Sequence, residues 1–178
     1  VYKLTKEELL EDGIELQDVN EILENKYKNN LENYIQYIKK HEIEIITIND
    51  NNYPKMLKNI YDPPIVLYIK GNKKIFSTYA IGMIGCRNCS IYGKNTAQKL
   101  AYDLAKNNFV VVSGLAKGID TYSHVGCLAG KGKTIAVLGN GLDTVYPSEN
   151  KELADKIVET GGAVISEHII GTKPLKQN

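Results

Sequence analysis

The sequence predicts an α/β fold: a Rossmann-like, doubly wound and mostly parallel sheet, preceded by a small helical domain. Short apolar runs alternate with helical patterns from residue 80 onward, and glycines follow three of these runs. The first forty residues show helical spacing only. The length of 178 residues fits one domain with a small appendage, and a hydrophobic fraction of 43% can form a core. We therefore expect a helical domain at residues 1–42 and a Rossmann-like domain at 43–178.

The helical domain is predicted from its start and stop signals. Residues 5–8, Thr-Lys-Glu-Glu, form a capping box, in which a hydroxyl and a carboxylate bond each other's backbone amides. Gly13 is a plausible end for this helix. Apolar residues recur at helical spacing between residues 16 and 38, and Asn29 and Asn30 are expected to divide this stretch into two helices.

The second domain is predicted from short apolar runs bounded by glycine and proline. Pro63 and Pro64 exclude a helix before the second run. Strands are expected at 43–48, 65–69, 80–84, 109–112, 134–138 and 163–166, and helices at 96–106, 118–129 and 148–160. Strands that alternate with helices pair in parallel, with the helices on the faces of the sheet.

The charge is unevenly distributed. Residues 1–50 contain six lysines against twelve acidic residues, whereas residues 70–133 contain nine lysines and one arginine against two acidic residues. A basic body suggests an anionic partner such as nucleic acid, although a solvated lysine surface would give the same count. No apolar run is long enough to span a membrane, no leader precedes the chain, and three cysteines cannot close a disulfide framework. These features favour a cytoplasmic protein without membrane association.

Three glycine-containing loops follow the predicted parallel strands. Ligands of open parallel sheets bind beyond the carboxyl ends of the strands, at the switch point in strand order. Glycines let an anionic backbone approach, and the helix that follows offers free amides. The loops are Gly85-Cys86-Arg87, then Ser113-Gly114-Leu115-Ala116-Lys117-Gly118, then Gly139-Asn140-Gly141.

Arg87 is the only arginine of the chain. A planar guanidinium binds a phosphate through two hydrogen bonds, so its place after a strand favours a phosphate contact. The alternatives are that Arg87 ties loops together through backbone carbonyls, or that it pairs with Asp120.

Common nucleotide-binding motifs are absent. Residues 82–85 do not form the dinucleotide fingerprint, and no P-loop is present. The Gly-Lys-Thr triplet at residues 132–134 lacks an upstream glycine and enters a strand instead of leaving one.

A distinctive series of motifs runs from residue 53 to the end of the chain. It comprises Tyr53-Pro54, Leu57, Asp62-Pro63-Pro64, Leu67-Tyr68, Gly71, Gly85-Cys86-Arg87, Tyr92-Gly93, residues 113–120 (SGLAKGID) with His124, residues 134–139 (TIAVLG), Gly141-Leu142-Asp143, Tyr146-Pro147, Asn150 and Ser166-Glu167. This series resembles the DNA-processing family called DprA or Smf. The SGLAKGID block with its histidine, together with GLDTVYP, is specific to that family.

The resemblance implies a bacterial single-stranded DNA-binding protein of natural transformation and recombination. Such a protein protects incoming single strands and loads the RecA recombinase, including past single-strand-binding protein. It acts as a homodimer, needs no cofactor and is not an enzyme. The resemblance places the DNA in a basic pocket at the strand ends. It carries DNA contacts over to Gly85, Cys86, Arg87, Ser113, Gly114, Lys117, Gly118, Gly139, Asn140 and Gly141.

The chain departs from the family pattern in two places. Cys86 stands where the family commonly has serine or threonine, so a hydroxyl contact is lost or replaced by a thiol. The chain starts at Val1 and stops before the family's F-x-x-R-N-R segment, so we expect a C-terminally incomplete domain with weaker DNA binding.

Several side chains allow other interpretations. Cys86, Cys89, Cys127 and His124 together could form a zinc set, and the C-x-x-C pair could be redox-active, although the resemblance already explains two of these positions. Tyr92 is the tyrosine that we expect to stack on a base.

A catalytic function is the main alternative of another class. Asp120 and His124 could form an acid–base pair on one helix face, but structural roles for both are favoured. A related fold, the lysine-decarboxylase-like group, hydrolyses nucleoside monophosphates with a catalytic glutamate in a P-G-G-x-G-T-x-x-E block. That block is absent here, and Glu167 is the only candidate acid.

Overall fold

The computed structural model describes residues 5–23 and 28–175. The chain divides into two compact units, Val1–His41 and Glu42–Asn178, and this division lies next to the boundary expected from the sequence. Among the described residues, no helix is long and apolar enough to cross a membrane.

The first unit contains helices α1 (Lys6–Glu11), α2 (Leu16–Leu23) and α3 (Lys28–Lys40). The predicted capping box is confirmed: the Glu8 amide donates to the Thr5 hydroxyl (3.3 Å), and the Thr5 amide donates to the Glu8 carboxylate (2.6 Å). Gly13 follows α1 with a φ of 82°, as expected of a residue that ends a helix.

The expected division of this unit at Asn29 and Asn30 is wrong. Both residues lie inside α3, because asparagine costs a helix only a fraction of a kcal/mol, up to about 0.7, relative to alanine. The residues that join α2 to α3, 24–27, lie outside the described residues.

In the second unit, the described residues form six strands, four helices and two short 3₁₀ turns. Its elements are β1 (Ile43–Thr47), α4 (Lys55–Lys58), β2 (Val66–Gly71), a 3₁₀ turn (Lys73–Ser77), β3 (Ala80–Gly82), α5 (Ile91–Lys106), β4 (Val110–Ser113), α6 (Ile119–Ala129), β5 (Thr134–Leu138), a second 3₁₀ turn (Ser148–Asn150), α7 (Lys151–Glu159) and β6 (Ala163–Ser166). All six predicted strands are present.

The six strands form one sheet in the order β1-β2-β6-β5-β4-β3. The neighbours β3, β4, β5 and β6 are parallel, with Val112 opposite Ile135 and Val137 opposite Ile165. Strands β1 and β2 are antiparallel to each other, and β2 is antiparallel to β6. The predicted mixed α/β fold with a mostly parallel sheet is therefore confirmed.

Successive residues of the parallel strands contribute to two different cores. On one face, Val111 packs with Ala101 of α5 and Cys127 of α6, while Ala136 and Val164 pack with Ala154 and Ile157 of α7. The residues on the other face pack with β2, the first 3₁₀ turn and the segment before α4; they include Val110, Ile135, Ile165, Leu67, Ile75 and Tyr53.

The three crossover helices therefore pack on one face of the described sheet, not on both faces as the doubly wound expectation had it. The reason is the strand order. Strands β3 to β6 follow one another in chain order, and right-handed crossovers that always advance in one direction place their helices on the same side. The described parallel strands accordingly contain no reversal of order, and the expected switch point is not among them.

Helix α5 begins five residues earlier than predicted, at Ile91 instead of residue 96. The cause is the side chain of Ser90, whose hydroxyl accepts a hydrogen bond from the Gly93 amide at 3.1 Å and so caps the helix. Tyr92 and Lys94 consequently lie in the first turns of a helix that starts at the carboxyl edge of the parallel strands.

Candidate nucleic-acid interface

Two loops at the carboxyl edge of the parallel strands are locked together by glycines. The first loop (residues 83–90) follows β3, and the second loop (residues 114–118) follows β4. Gly118 has a φ of 80°, and a Cβ there would overlap the carbonyl oxygens of Cys86 and Arg87. The Ile119 amide also donates to the Cys86 carbonyl at 3.2 Å. Gly118 is therefore required by a close backbone approach as well as by its conformation.

Gly85 has a similar packing role in the first loop. A Cβ at this position would lie 2.6 Å from the side chain of Ile119. The predicted glycines of both loops thus bring α6 against the first loop, which holds the exposed Arg87 in place relative to the start of α6.

A pocket of about 360 Å³ lies where the first loop, α5 and α6 meet. Its lining residues are Arg87, Asn88, Cys89, Ser90, Ile91, Lys94, Gly118 and Tyr122. No acidic residue in the described part of the chain lines this pocket. Arg87 is exposed, and among the described residues neither Arg87 nor Lys94 forms an ion pair. The pairing of Arg87 with Asp120, given above as an alternative to a phosphate contact, is therefore not present.

Lys94 lies over an aromatic ring inside this pocket. Its Nζ atom is 4.5 Å from the centroid of the Tyr122 ring, which is a cation–π distance. Tyr92, the residue predicted to stack on bases, is 80% exposed and does not line the pocket. The structure thus places a different tyrosine, Tyr122, beside the two unpaired cations.

The polar groups of the second loop are mostly used within the protein. The buried Ser113 hydroxyl donates to the Met83 carbonyl at 2.7 Å, which joins the ends of β3 and β4. The Asp120 carboxylate accepts from the amides of Gly114 (3.1 Å) and Ala116 (3.4 Å). Asp120 therefore fixes the shape of this loop, and the Gly114 amide is not turned toward a ligand.

Lys117 is the exposed cation of the second loop. Its Nζ atom donates to the Glu149 carboxylate at 2.7 Å, and both side chains remain largely exposed. The hydrogen bond and the opposite charge raise the pKa of Lys117 and lower the pKa of Glu149. Lys117 is thus accessible to an anion, but it already has a partner.

The third loop (residues 139–147), which follows β5, is closed. The buried Asn140 amide donates to the carbonyls of Gly141 (2.9 Å) and Thr144 (2.6 Å). The Gly141 amide donates to the Thr172 carbonyl at 3.0 Å, so the segment after β6 lies over it. Of the three residues predicted here as DNA contacts, only Gly139 is exposed, and none of the three lines the pocket.

His124 lies in the core beneath the second loop. The Thr134 hydroxyl donates its hydrogen to the Val111 carbonyl (2.6 Å), so it accepts from His124 Nδ1 at 2.7 Å, and Nδ1 carries the proton. Burial lowers the pKa of His124 to about 4, which keeps the ring neutral at pH 7. With Asp120 bonded to loop amides, both residues have the structural roles favoured for them.

The cysteines differ in accessibility. Cys86 is exposed and Cys89 half-buried, whereas Cys127 is buried, and burial raises the pKa of its thiol to about 11. Within the part of the chain that the structure describes, no three His, Cys, Asp or Glu side chains are grouped so that they could hold a metal ion. The structure does not bring together the set Cys86, Cys89, Cys127 and His124.

Residues 44–178 match the family model of DNA recombination-mediator protein A. The chain is 42% identical over 135 residues to DNA processing protein DprA of Bacillus subtilis and 45% identical over 130 residues to that of Streptococcus pneumoniae. This chain belongs to the DNA recombination-mediator protein A family. The matches cover 75% and 73% of this chain but 45% of each relative, so the chain spans about half the length of the relatives.

Solved structures of the family agree with the fold. An X-ray structure of DNA processing protein A from Streptococcus pneumoniae superposes with a TM-score of 0.72 at 36% identity, covering 99% of this chain and 67% of that one. A structure that gives insight into the single-stranded DNA binding mode of DNA processing protein A from Helicobacter pylori has a TM-score of 0.67 at 31% identity. It covers 76% of this chain and 60% of the other. The family resemblance drawn from the sequence is confirmed.

Eight residues line the pocket of this DprA-family chain, and the sequence predicted only Arg87 and Gly118 of them as DNA contacts. The missed residues include Lys94 and Tyr122. A signal for Lys94 was available, because Ser90 is a good helix cap and would have placed Lys94 in the first turns of α5. Tyr122 lies on α6, two residues after the SGLAKGID block ends, but its contact with Lys94 joins two separate helices. Sequence spacing alone does not show such a contact.

Proposed function

We propose that this chain binds single-stranded DNA through the pocket between the first loop, α5 and α6. The observation that carries the proposal is the pair of cations, Arg87 and Lys94, which line a pocket without any acidic residue and form no ion pair among the described residues. Unpaired cations beside a helix N-terminus favour a phosphate. Membership of the family and the DNA-binding relative from Helicobacter pylori support the same ligand.

The proposed binding is tolerant of sequence. Phosphate contacts position a nucleic acid without reading its bases, and the charged residues that line the pocket are the cations Arg87 and Lys94. Binding should therefore weaken steeply as salt is added, because each phosphate contact releases counterions.

We propose for this chain the biological role that its resemblance to the family implies. The chain would act in the cytoplasm during natural transformation and recombination, protect incoming single strands and load RecA, including on strands covered by single-strand-binding protein. It would act as a homodimer in its longer form, and not as an enzyme. RecA loading is tested by measuring whether the protein shortens the delay before RecA hydrolyses ATP on covered single strands. An unchanged delay would contradict this role.

The binding itself is tested by titrating fluorescent single- and double-stranded oligonucleotides with the parent and with Arg87→Ala. We expect a preference for single strands, and about tenfold weaker binding by the variant, since a charge-assisted contact is lost. The salt slope of the variant should be flatter by about one unit. Lys133→Ala is the matched control, because Lys133 is exposed at the opposite, amino-terminal end of β5. Equal binding by the parent and Arg87→Ala would contradict the proposal.

The alternative of nucleoside monophosphate hydrolysis has less support. It needs a carboxylate at the ligand, and the lining of the pocket contains none. Glu167, the candidate acid, is exposed just after β6 and does not line the pocket. Release of free base from nucleoside monophosphates by the purified protein would favour the enzyme over the binding protein.

A further inference from the structure

We propose that Lys94 is a second phosphate-binding residue of the pocket, and that the ring of Tyr122 positions its ammonium group. This inference rests on the proposed function, because the ligand is the same single-stranded DNA. It assigns a separate role to each side chain. Arg87 and Lys94 would contact phosphate, while Tyr122 would act through Lys94 without contacting the DNA.

Lys94 has no acidic partner among the described residues. Four other lysines of the second unit pair with carboxylates, namely Lys70, Lys73, Lys99 and Lys117. Among the described residues Lys94 has no such partner, although it is only half-exposed. Its ammonium group lies over the face of the Tyr122 ring, with Nζ 4.5 Å from the ring centroid. The charge of Lys94 is therefore left available for an external anion.

The positive charges of Arg87 and Lys94 converge on one pocket. Lys94 and Arg87 line the same pocket, which has no acidic residue to offset them. Two like charges that face one space repel each other, and a phosphate placed between them relieves that repulsion. A guanidinium fork and a compact ammonium are complementary phosphate donors, since one binds two oxygens in a plane and the other approaches a third.

The ring of Tyr122 restrains the ammonium group of Lys94. A lysine side chain has four rotatable bonds. Without the Tyr122 ring, the ammonium group of Lys94 would therefore occupy many positions. The electron-rich face of an aromatic ring restrains it without neutralising the charge. A base that stacked on this face of Tyr122 would have to displace the ammonium, so positioning and stacking are competing roles for the ring.

A double-mutant cycle separates these roles. The variants are Lys94→Met, Tyr122→Leu, the combination of both, and Tyr122→Phe. Each is titrated against oligothymidylate and against an abasic oligonucleotide with the same number of phosphates. Lys94→Met should weaken binding about five- to tenfold and flatten the salt slope by about one unit. Tyr122→Leu should weaken binding roughly two- to fivefold, equally on both oligonucleotides.

The combined variant should bind no more weakly than Lys94→Met alone, because Tyr122 has nothing left to position. Tyr122→Phe keeps the ring and should restore most of the loss. The matched control is a second lysine–tyrosine pair on α5, Lys106 over Tyr102 at 5.3 Å, which lies outside the pocket. Lys106→Met with Tyr102→Leu should leave the affinity unchanged.

The outcomes distinguish this inference from the proposed function. If the parent fails to bind single strands, the proposed function falls and this inference falls with it. If the parent binds and Arg87→Ala binds weakly, but Lys94→Met changes neither the affinity nor the salt slope, only this inference is overturned. Additive losses in the cycle, or a Tyr122→Leu loss confined to the oligonucleotide that has bases, would show that Tyr122 stacks instead.

Discussion

The first and third glycine-containing loops differ in what lies against them. In the first loop, Arg87 is exposed on an acid-free pocket and Gly85 packs on α6. In the third loop, Asn140 is buried, and the Gly141 amide is bonded to Thr172 of the segment after β6. Both loops follow parallel strands at the same edge of the sheet, yet only the first one presents a cation to solvent.

The difference shows that a glycine in these loops indicates close backbone packing, and does not by itself indicate a ligand site. Gly118 and Gly141 would each meet carbonyl oxygens if they carried a Cβ. What marks the pocket beside the first loop as a site is the pair of cations Arg87 and Lys94, which have no acidic partners among the described residues. The following predictions test this contrast.

Gly118→Ala should have the largest effect. A Cβ at this position would overlap the carbonyls of Cys86 and Arg87, and the φ of 80° is unfavourable for alanine. Strain and overpacking together should lower the free energy of unfolding by about 3–5 kcal/mol, measured by urea titration. The first loop should also separate from α6, with loss of DNA binding.

Gly82→Ala is the control for Gly118→Ala. No atom lies within 4 Å of a Cβ built at Gly82, so this variant should be as stable as the parent or up to about 1 kcal/mol more stable. If both variants have the same urea midpoint of unfolding as the parent, Gly118 does not hold the first and second loops together.

Asn140→Ala should affect stability but not the pocket. Its amide donates to two carbonyls, at 2.9 and 2.6 Å, and both would lose their partner in or near the core. We expect a loss of about 2–4 kcal/mol in the free energy of unfolding and, at low denaturant, DNA affinity close to that of the parent. Arg87→Ala should show the reverse, with unchanged stability and weakened binding. A large affinity loss in folded Asn140→Ala would place the third loop in the DNA site.

The sequence predicted the sheet well and the use of its loops poorly, for a physical reason. Strands β5 and β6 were predicted with the bounds observed, since they are short apolar runs bounded by polar residues and glycine. The start of α5 was missed because Gly93 and Asn95 are weak helix formers, while Ser90 decides where the helix begins. Whether an amide faces a ligand depends on contacts between distant residues, such as Gly141 with Thr172, which no local pattern contains.

Acid should destabilise the support beneath the second loop. His124 has a pKa of about 4 in the folded chain and about 6.5 when exposed to water. Above pH 6.5 the ring is neutral in both states. As the pH falls from 6.5 toward 4, the unfolded chain binds the proton and the folded chain does not, so stability is lost. His124 should contribute a loss of about 2 kcal/mol between pH 7 and pH 5.

His124→Asn is the variant that isolates this contribution, because its amide can still donate to the Thr134 hydroxyl. We expect it to be less stable than the parent at pH 7, and to lose less stability on going to pH 5. Urea titrations of both proteins at several pH values measure the difference. Parallel pH profiles would mean that His124 titrates alike in the folded and unfolded chains.

Glu149→Gln should have the smallest effect, and it addresses the one cation of the second loop. Lys117 has the Glu149 carboxylate as its partner at 2.7 Å, whereas the two cations of the pocket have none among the described residues. Removing the carboxylate frees the ammonium for phosphate, but an exposed ion pair is weak, so affinity for single strands should rise less than about threefold. The gain should shrink as salt is added, since screening already weakens the pair in the parent.

Glu152→Gln removes an equal charge nearby, from an exposed residue of α7 for which the structure shows no ion pair among the described residues. A larger gain for Glu149→Gln than for Glu152→Gln would show that pairing, and not net charge alone, limits Lys117; equal gains would show that the pair has no such role.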